Sequence, residues 1–113
     1  MCCRKGDIFW AELGENAEGS LQAGVRPVLV VSNNKANGFS PVITIIPITS
    51  KMRKAKLPTH VLIEECGLSS PSIALAEQIT SINKGRLGRK IGSIQQTAYV
   101  GLIKREIGIQ LSL

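Results

Sequence analysis

Through its first two-thirds the chain alternates short apolar runs with glycine and proline punctuation, and that rhythm commits it to strands. The runs fall at residues 8–13, 28–31, 42–48, 60–64 and 72–79. The first is rich in aromatic residues and opens after Gly6 and Asp7. The second is β-branched and ends at a turn signal, Ser32-Asn33-Asn34. The third is entered through Pro41 and interrupted by Pro47, and Pro58 precedes the fourth. Proline lacks the N–H that a ladder needs, so an edge or a bulge is predicted near Pro47. Short strands at this spacing, with turn residues between them, predict a small β-barrel or sandwich.

Between the first two runs lie residues 14–24, a stretch of Gly, Glu, Asn, Ser and Gln with almost nothing to bury. Unstructured loops of that length in a compact domain are usually functional or mobile. The C-terminal third has a different period. From residue 95 to 111, apolar side chains recur at Tyr99, Val100, Leu102, Ile103, Ile107 and Leu111. Spacings of three and four predict a helix with one buried face, and place Lys104, Arg105 and Glu106 on or near its wet side. Gly108 weakens the last turn by about 1 kcal/mol relative to alanine. The fold class read from this pattern is mainly β with α: a strand-rich barrel followed by one packed C-terminal helix. A length of 113 residues fits a single domain over residues 1–113. Aromatic residues make up only 4% of the chain, so the core is modest and a dimer would supplement it.

Fourteen Lys and Arg against eight Asp and Glu give a formal charge of +6. That excess suits an anionic partner, nucleic acid first and an acidic protein or membrane surface after it, or serves solubility alone. The three cysteines, Cys2, Cys3 and Cys66, include an adjacent pair and an odd one, which argues against a secreted disulfide framework. With His60 they make no convincing zinc spacing. The N-terminus has no apolar stretch behind its charges, and no apolar run is long enough to span a bilayer. A soluble, cytoplasmic protein that makes no use of a membrane is expected.

Several catalytic templates fail on inspection. One histidine excludes a paired-histidine ribonuclease arrangement within one chain, glycine-rich phosphate loops are absent, and the acidic residues form no convincing two-metal cluster. What remains is friendly to phosphate. Arg26 stands where the 14–24 loop meets the second run, in Gly24-Val25-Arg26-Pro27. A fixed guanidinium there would make paired hydrogen bonds to two phosphate oxygens. The same position also suits a rim arginine that caps carbonyls or pairs with Glu12. Thr49 ends the third run, where a hydroxyl can orient a phosphate or relay a proton, and where threonine is also simply a good strand former. Lys51, Arg53, Lys54 and Lys56 follow as a solvated loop or an electrostatic path for a nucleic-acid backbone. His60 reads as structural.

Taken in order, these pieces are Gly6-Asp7-Ile8, Gly19-Ser20-Leu21-Gln22-Ala23-Gly24-Val25-Arg26-Pro27-Val28, Ser40-Pro41-Val42 and Pro47-Ile48-Thr49. They continue through Lys54-Ala55-Lys56-Leu57-Pro58-Thr59-His60-Val61, Ala76-Glu77-Gln78-Ile79 and Arg86-Leu87. The whole set strongly resembles the MazF/PemK toxin family. The Thr59-His60 and Glu77-Gln78 segments resemble its Gram-positive type. The resemblance implies an SH3-like small β-barrel of the CcdB/MazF kind, a homodimer, and a toxin of a type II toxin–antitoxin system. It further implies an mRNA interferase, a sequence-selective endoribonuclease neutralised by a MazE-like antitoxin whose acidic or amphipathic tail lies across the dimer.

By the same resemblance Arg26 and Thr49 are catalytic. RNA binding falls on Ser20, Gln22, Glu77 and Gln78, with Ser72 a weaker carry-over and the Lys51–56 cations alongside. Two positions depart from the family pattern: Leu21 stands where an acidic residue is usual, and Thr80 where related chains often carry a base. The expected chemistry is attack of the RNA's own 2′-hydroxyl on the adjacent phosphorus, leaving a 2′,3′-cyclic phosphate and a 5′-hydroxyl. RNA supplies the nucleophile, so neither metal nor cofactor is expected. Single-stranded RNA is the expected substrate because a duplex resists the splayed backbone that in-line attack needs. The competing readings are a CcdB-like DNA-gyrase poison and a non-catalytic RNA-binding module.

Overall fold

The computed structural model describes residues 3–15, 19, 21–52 and 57–113. Among these, seven strands and two helices form. They are β1 (Asp7–Glu12), β2 (Val25–Val30), α1 (Asn34–Phe39), β3 (Val42–Thr49), β4 (His60–Ile63), β5 (Ser72–Leu75), β6 (Thr80–Asn83), β7 (Leu87–Ser93) and α2 (Tyr99–Leu111). Every strand pairing is antiparallel, in the order β4-β5-β3-β2-β1-β7, with β6 also on β3. This is the strand-rich architecture with a C-terminal helix that the apolar rhythm predicts.

The strands read as continuous apolar runs because the central ones are buried on both faces. Ile8, Leu29, Ile46 and Ile48 belong to one core cluster with Val61, Ile63 and Ala74. Phe9, Ala11, Val28, Val30, Ile43 and Ile45 build the other. Adjacent residues of β1 and β2 therefore enter different cores, as the two-residue period of a strand requires.

Pro47 departs from the sequence expectation. It lies inside β3, a strand with neighbours on both edges, opposite Val28 of β2. On its other edge β3 pairs with β6 from Val42 to Ile45 and with β5 at Ile48 and Thr49. The Thr44 carbonyl accepts from the Val31 N–H on the β2 side. Alternation then turns residue 47 to the opposite edge, into the gap between β6 and β5, where no ladder bond is lost.

The 72–79 run is also not one strand. It splits into β5 and a 3-10 turn over Ala76–Gln78, after which Thr80 starts β6. The Ser32-Asn33-Asn34 signal serves as a cap: the Asn33 side chain accepts from the Ala36 N–H and starts α1.

The C-terminal helix begins at Tyr99, and its buried stripe is narrower than the apolar pattern implies. Ile103 is buried, with Tyr99 and Ile107 packed beside it against the first core cluster. Val100, Leu102 and Leu111 are exposed. Glu106 is the correction. It lies three residues beyond Ile103 on the inward stripe and is 8% exposed, not on the wet side. Its Oε2 has no hydrogen-bond partner among the described residues, and Arg105 Nε stands 3.9 Å from Oε1.

Candidate active site

The register of β2 on β3 explains why two residues far apart in sequence share a site. The ladder pairs Val30 with Ile45, Leu29 with Ile46 and Val28 with Pro47. Arg26 and Thr49 each lie two residues beyond the last β2–β3 pair, Val28 with Pro47; there Arg26 pairs with Ala11 of β1 and Thr49 with Ile73 of β5. Both line a groove of about 380 Å³ that also takes in Ser50, Ser72 and the Gly67–Ser70 segment.

Each of the two side chains is half-committed. Arg26 is exposed, and its Nε donates to the Ala23 carbonyl at 2.9 Å. That bond fixes the guanidinium plane and leaves the two terminal nitrogens for an anion. It is the carbonyl-capping contact of a rim arginine, while Glu12 directs its Oε1 to the Gly14 N–H instead. Thr49 is buried at the end of β3, and its Oγ1 accepts from the Lys51 N–H at 3.1 Å. An acceptor role toward the backbone leaves the hydroxyl proton free to be donated into the groove.

A second groove, of about 610 Å³, lies elsewhere on the barrel and is lined by Leu21, Gln22, Glu77, Gln78, Thr80 and Asn83, among others. The Gln22 N–H donates to the Gln78 Oε1 at 3.0 Å, tying the end of the 14–24 loop to the turn after β5. Glu77 is held from below: Thr59 Oγ1 donates to its Oε1 at 2.9 Å, and His60 Nε2 sits 2.8 Å from its Oε2. The Leu57 N–H donates to His60 Nδ1, so the ring proton resides on Nε2 and is given to Glu77. His60 thus has a structural partner, and its ring is almost fully buried.

The residues singled out in the sequence therefore divide. Arg26, Thr49 and Ser72 come together in one groove; Gln22, Glu77 and Gln78 in the other. Ser72 opens β5, whereas Glu77 and Gln78 sit in the 3-10 turn that follows, so they do not share a strand. Lys51 is exposed beside Thr49. Ser20, Arg53, Lys54 and Lys56 lie outside the described residues. The sequence reading passed over Trp10, Arg89 and Lys90 in the first groove and Asn83 in the second. Trp10 carried a signal, as the one exposed apolar side chain between buried Phe9 and Ala11.

Residues 4–110 match the model of the PemK-like, MazF-like toxins of type II toxin–antitoxin systems. The chain is 46% identical over 93 residues to the endoribonuclease EndoA of Bacillus subtilis, covering 80% of this chain and 79% of that one. It is 41% identical over 90 residues to the endoribonuclease MazF of Staphylococcus saprophyticus, covering 78% and 74%. A mycobacterial endoribonuclease solved in complex with its cognate antitoxin superposes with a TM-score of 0.77 over 99% of this chain and 95% of that one. At 23% identity that likeness speaks for the barrel fold alone. Match length and identity together leave one assignment: this chain belongs to the PemK-like, MazF-like toxin family of type II toxin–antitoxin systems.

Proposed function

We propose that this endoribonuclease toxin cuts single-stranded RNA by in-line attack of the RNA's own 2′-hydroxyl on the adjacent phosphorus. The 2′-hydroxyl loses its proton to solvent as its oxygen bonds to phosphorus, the P–O5′ bond breaks, and the departing 5′-oxygen takes a proton from solvent, leaving a 2′,3′-cyclic phosphate and a free 5′-hydroxyl. The observation that supports this reading is that Arg26 and Thr49, each two residues past the last β2–β3 pair, line one groove. Arg26, held at Nε by the Ala23 carbonyl, turns its terminal nitrogens to the phosphoryl oxygens as charge builds on them. Thr49 donates its hydroxyl proton to a phosphate oxygen and orients the group for attack. Water need not be activated, so no metal or cofactor is required.

The groove around Gln22, Glu77 and Gln78 takes the bases of the RNA and sets the preferred sequence, with the buried Thr59 and His60 fixing the Glu77 carboxylate. The protein acts in the cytoplasm as a homodimer of single-domain subunits and is held inactive by a MazE-like antitoxin. The antitoxin in the mycobacterial complex is the support for that partner. Among the described residues no helix is long and apolar enough to cross a membrane. A gyrase poison and a passive RNA-binding module are both disfavoured by relatives that are endoribonucleases.

The test is cleavage of a defined RNA with the product ends identified. Arg26→Ala should lower the rate by about 10²- to 10³-fold, the usual effect of removing one donor to a developing oxyanion. Chelation with EDTA should leave the wild-type rate unchanged. Wild-type speed in Arg26→Ala, loss of cleavage in EDTA, or 5′-phosphate ends would each refute the mechanism.

A further inference from the structure

We infer that Trp10 and Arg89 form a nucleotide subsite beside the scissile phosphate, with the indole as the stacking platform and the guanidinium as the clamp on the flanking phosphate. This rests on the endoribonuclease reading above and adds to it.

Trp10 lines the groove that holds Arg26 and Thr49, and more than a third of its surface is open. Its β2 partner is Pro27, the residue next to Arg26. On the other edge of β1, Phe9 pairs with Lys90 and Ala11 with Leu87. One residue of β1 thus faces two of β7, Gly88 and Arg89, which makes a β-bulge opposite Trp10. Bulges re-aim side chains, and this one brings Arg89 to the same groove wall.

Neighbouring cations are already engaged. Lys90 Nζ stands 3.3 Å from the buried Asp7 carboxylate, and Arg86 Nη1 donates to the Glu12 carbonyl. Arg89 is exposed, and among the described residues neither its guanidinium nor the Trp10 indole N–H has a partner. A cation with no partner among the described residues and an open indole, at the edge of a phosphate site, match the way single-stranded nucleic acid is held: bases stack on aromatic faces while cations follow the backbone. A stacking platform accepts any base, so this subsite governs affinity and alignment rather than sequence choice.

Trp10 is the only tryptophan in the chain, so its fluorescence reports on the subsite alone. Wild-type protein is titrated with a fluorescein-labelled RNA carrying a 2′-deoxy sugar at the cleavage point, following anisotropy and tryptophan emission together. Emission should be quenched in step with the rise in anisotropy. Trp10→Ala should weaken binding about tenfold, and Trp10→Phe should restore most of it. Arg89→Ala should reduce the slope of log affinity against log salt by about 1. The Trp10→Ala deficit should vanish on RNA shortened by one nucleotide on one side of the cleavage point, since the stacked base is then gone. Anisotropy that rises with unchanged emission, or a Trp10→Ala deficit equal on full and both shortened RNAs, overturns the subsite and leaves the cleavage reading standing. Wild-type protein that neither binds nor cuts RNA overturns both.

Discussion

Replacing Thr49 by valine isolates one hydroxyl with little change of shape, and two separate magnitudes follow from where that oxygen points. Toward the backbone it accepts the Lys51 N–H at 3.1 Å in a partly buried setting. Losing such a bond costs about 1 kcal/mol net. With an unfolding entropy of about 2.1 cal/mol/K per residue, a chain of 113 residues loses about 4 °C in Tm. Toward the groove, under the proposed mechanism, the hydroxyl proton meets an anionic phosphate, and hydrogen bonds to charged groups are worth about 1.5–3 kcal/mol. If that bond is made in the transition state, kcat/KM falls by about 10- to 150-fold. Thr49→Ser keeps the oxygen, so it should stay near wild-type activity while losing some strand preference. The assay is initial-rate cleavage of a fluorescent RNA at 25 °C, well below either melting point, beside thermal unfolding of the same preparations. A Thr49→Val enzyme within twofold of wild type would show that Thr49 only ends a strand. Equal losses in Thr49→Ser and Thr49→Val would point to packing rather than the hydroxyl.

Three further outcomes follow from the fold. Glu106→Met should raise stability by about 1 kcal/mol, because it removes a buried carboxylate with an unpartnered oxygen and keeps the volume. A lower urea midpoint for Glu106→Met would refute that. Gly92→Ala should destabilise by about 3 kcal/mol, since its Cβ would fall 1.9 Å from the Cys66 carbonyl oxygen and the β7 backbone must shift to relieve it. Urea unfolding measures this too, and an unchanged midpoint would mean the loop at Cys66 gives way freely. The Cys66 thiol is pushed up from its ordinary value, first by burial and then by the charge of Glu65. At pH 8 it should therefore alkylate more slowly than a free thiol, with the rate still climbing where a free thiol has levelled off. Peptide-resolved iodoacetamide labelling across pH checks it, and a rate matching free cysteine refutes it.

What could be read from the residues was what burial writes into them. Val28 to Val30 and Ile45 to Ile48 are apolar without alternation because both sheet faces are covered, so those strands stand out from sequence. β6 and β7 do not: their side chains are mostly exposed or half-exposed, and β7 carries Arg89 and Lys90 in mid-strand. α1 is six residues long, too short for a helical period to emerge. Glu106 was misplaced because a charged residue reads as wet unless the packing of α2 is known. That Arg26 and Thr49 line one groove depends on how β2 and β3 pair, a long-range property that neither residue announces. The division of the site residues between two grooves was hidden by the 3-10 turn at Ala76–Gln78, which carries the chain away from Ser72.

That division has a mechanical consequence, because one short stretch of chain serves both grooves. Leu21 and Gln22 line the larger groove, while Val25 and Arg26 line the smaller. The segment between them is clamped at both ends. Leu13 N–H donates to the Gly24 carbonyl and Gly24 N–H to the Gly14 carbonyl, which prolongs the β1–β2 ladder. Gly24 holds a φ of +74°, a conformation that suits glycine and turns the chain into β2. Gln22 is bonded to Gln78, and Arg26 Nε to the Ala23 carbonyl in the same stretch. Under the proposed function, an RNA whose bases displace Gln22 from Gln78 would pull on the stretch whose Ala23 carbonyl holds the guanidinium, coupling base choice to catalytic alignment. Leu21, where the family usually has an acid, sits in this linkage and is more than half exposed in the larger groove. Its apolar side chain takes a carboxylate's repulsion away from an approaching phosphate. Under the proposed function the departure therefore acts first on how RNA enters the larger groove, and reaches Arg26 through the Gln22–Ala23 stretch.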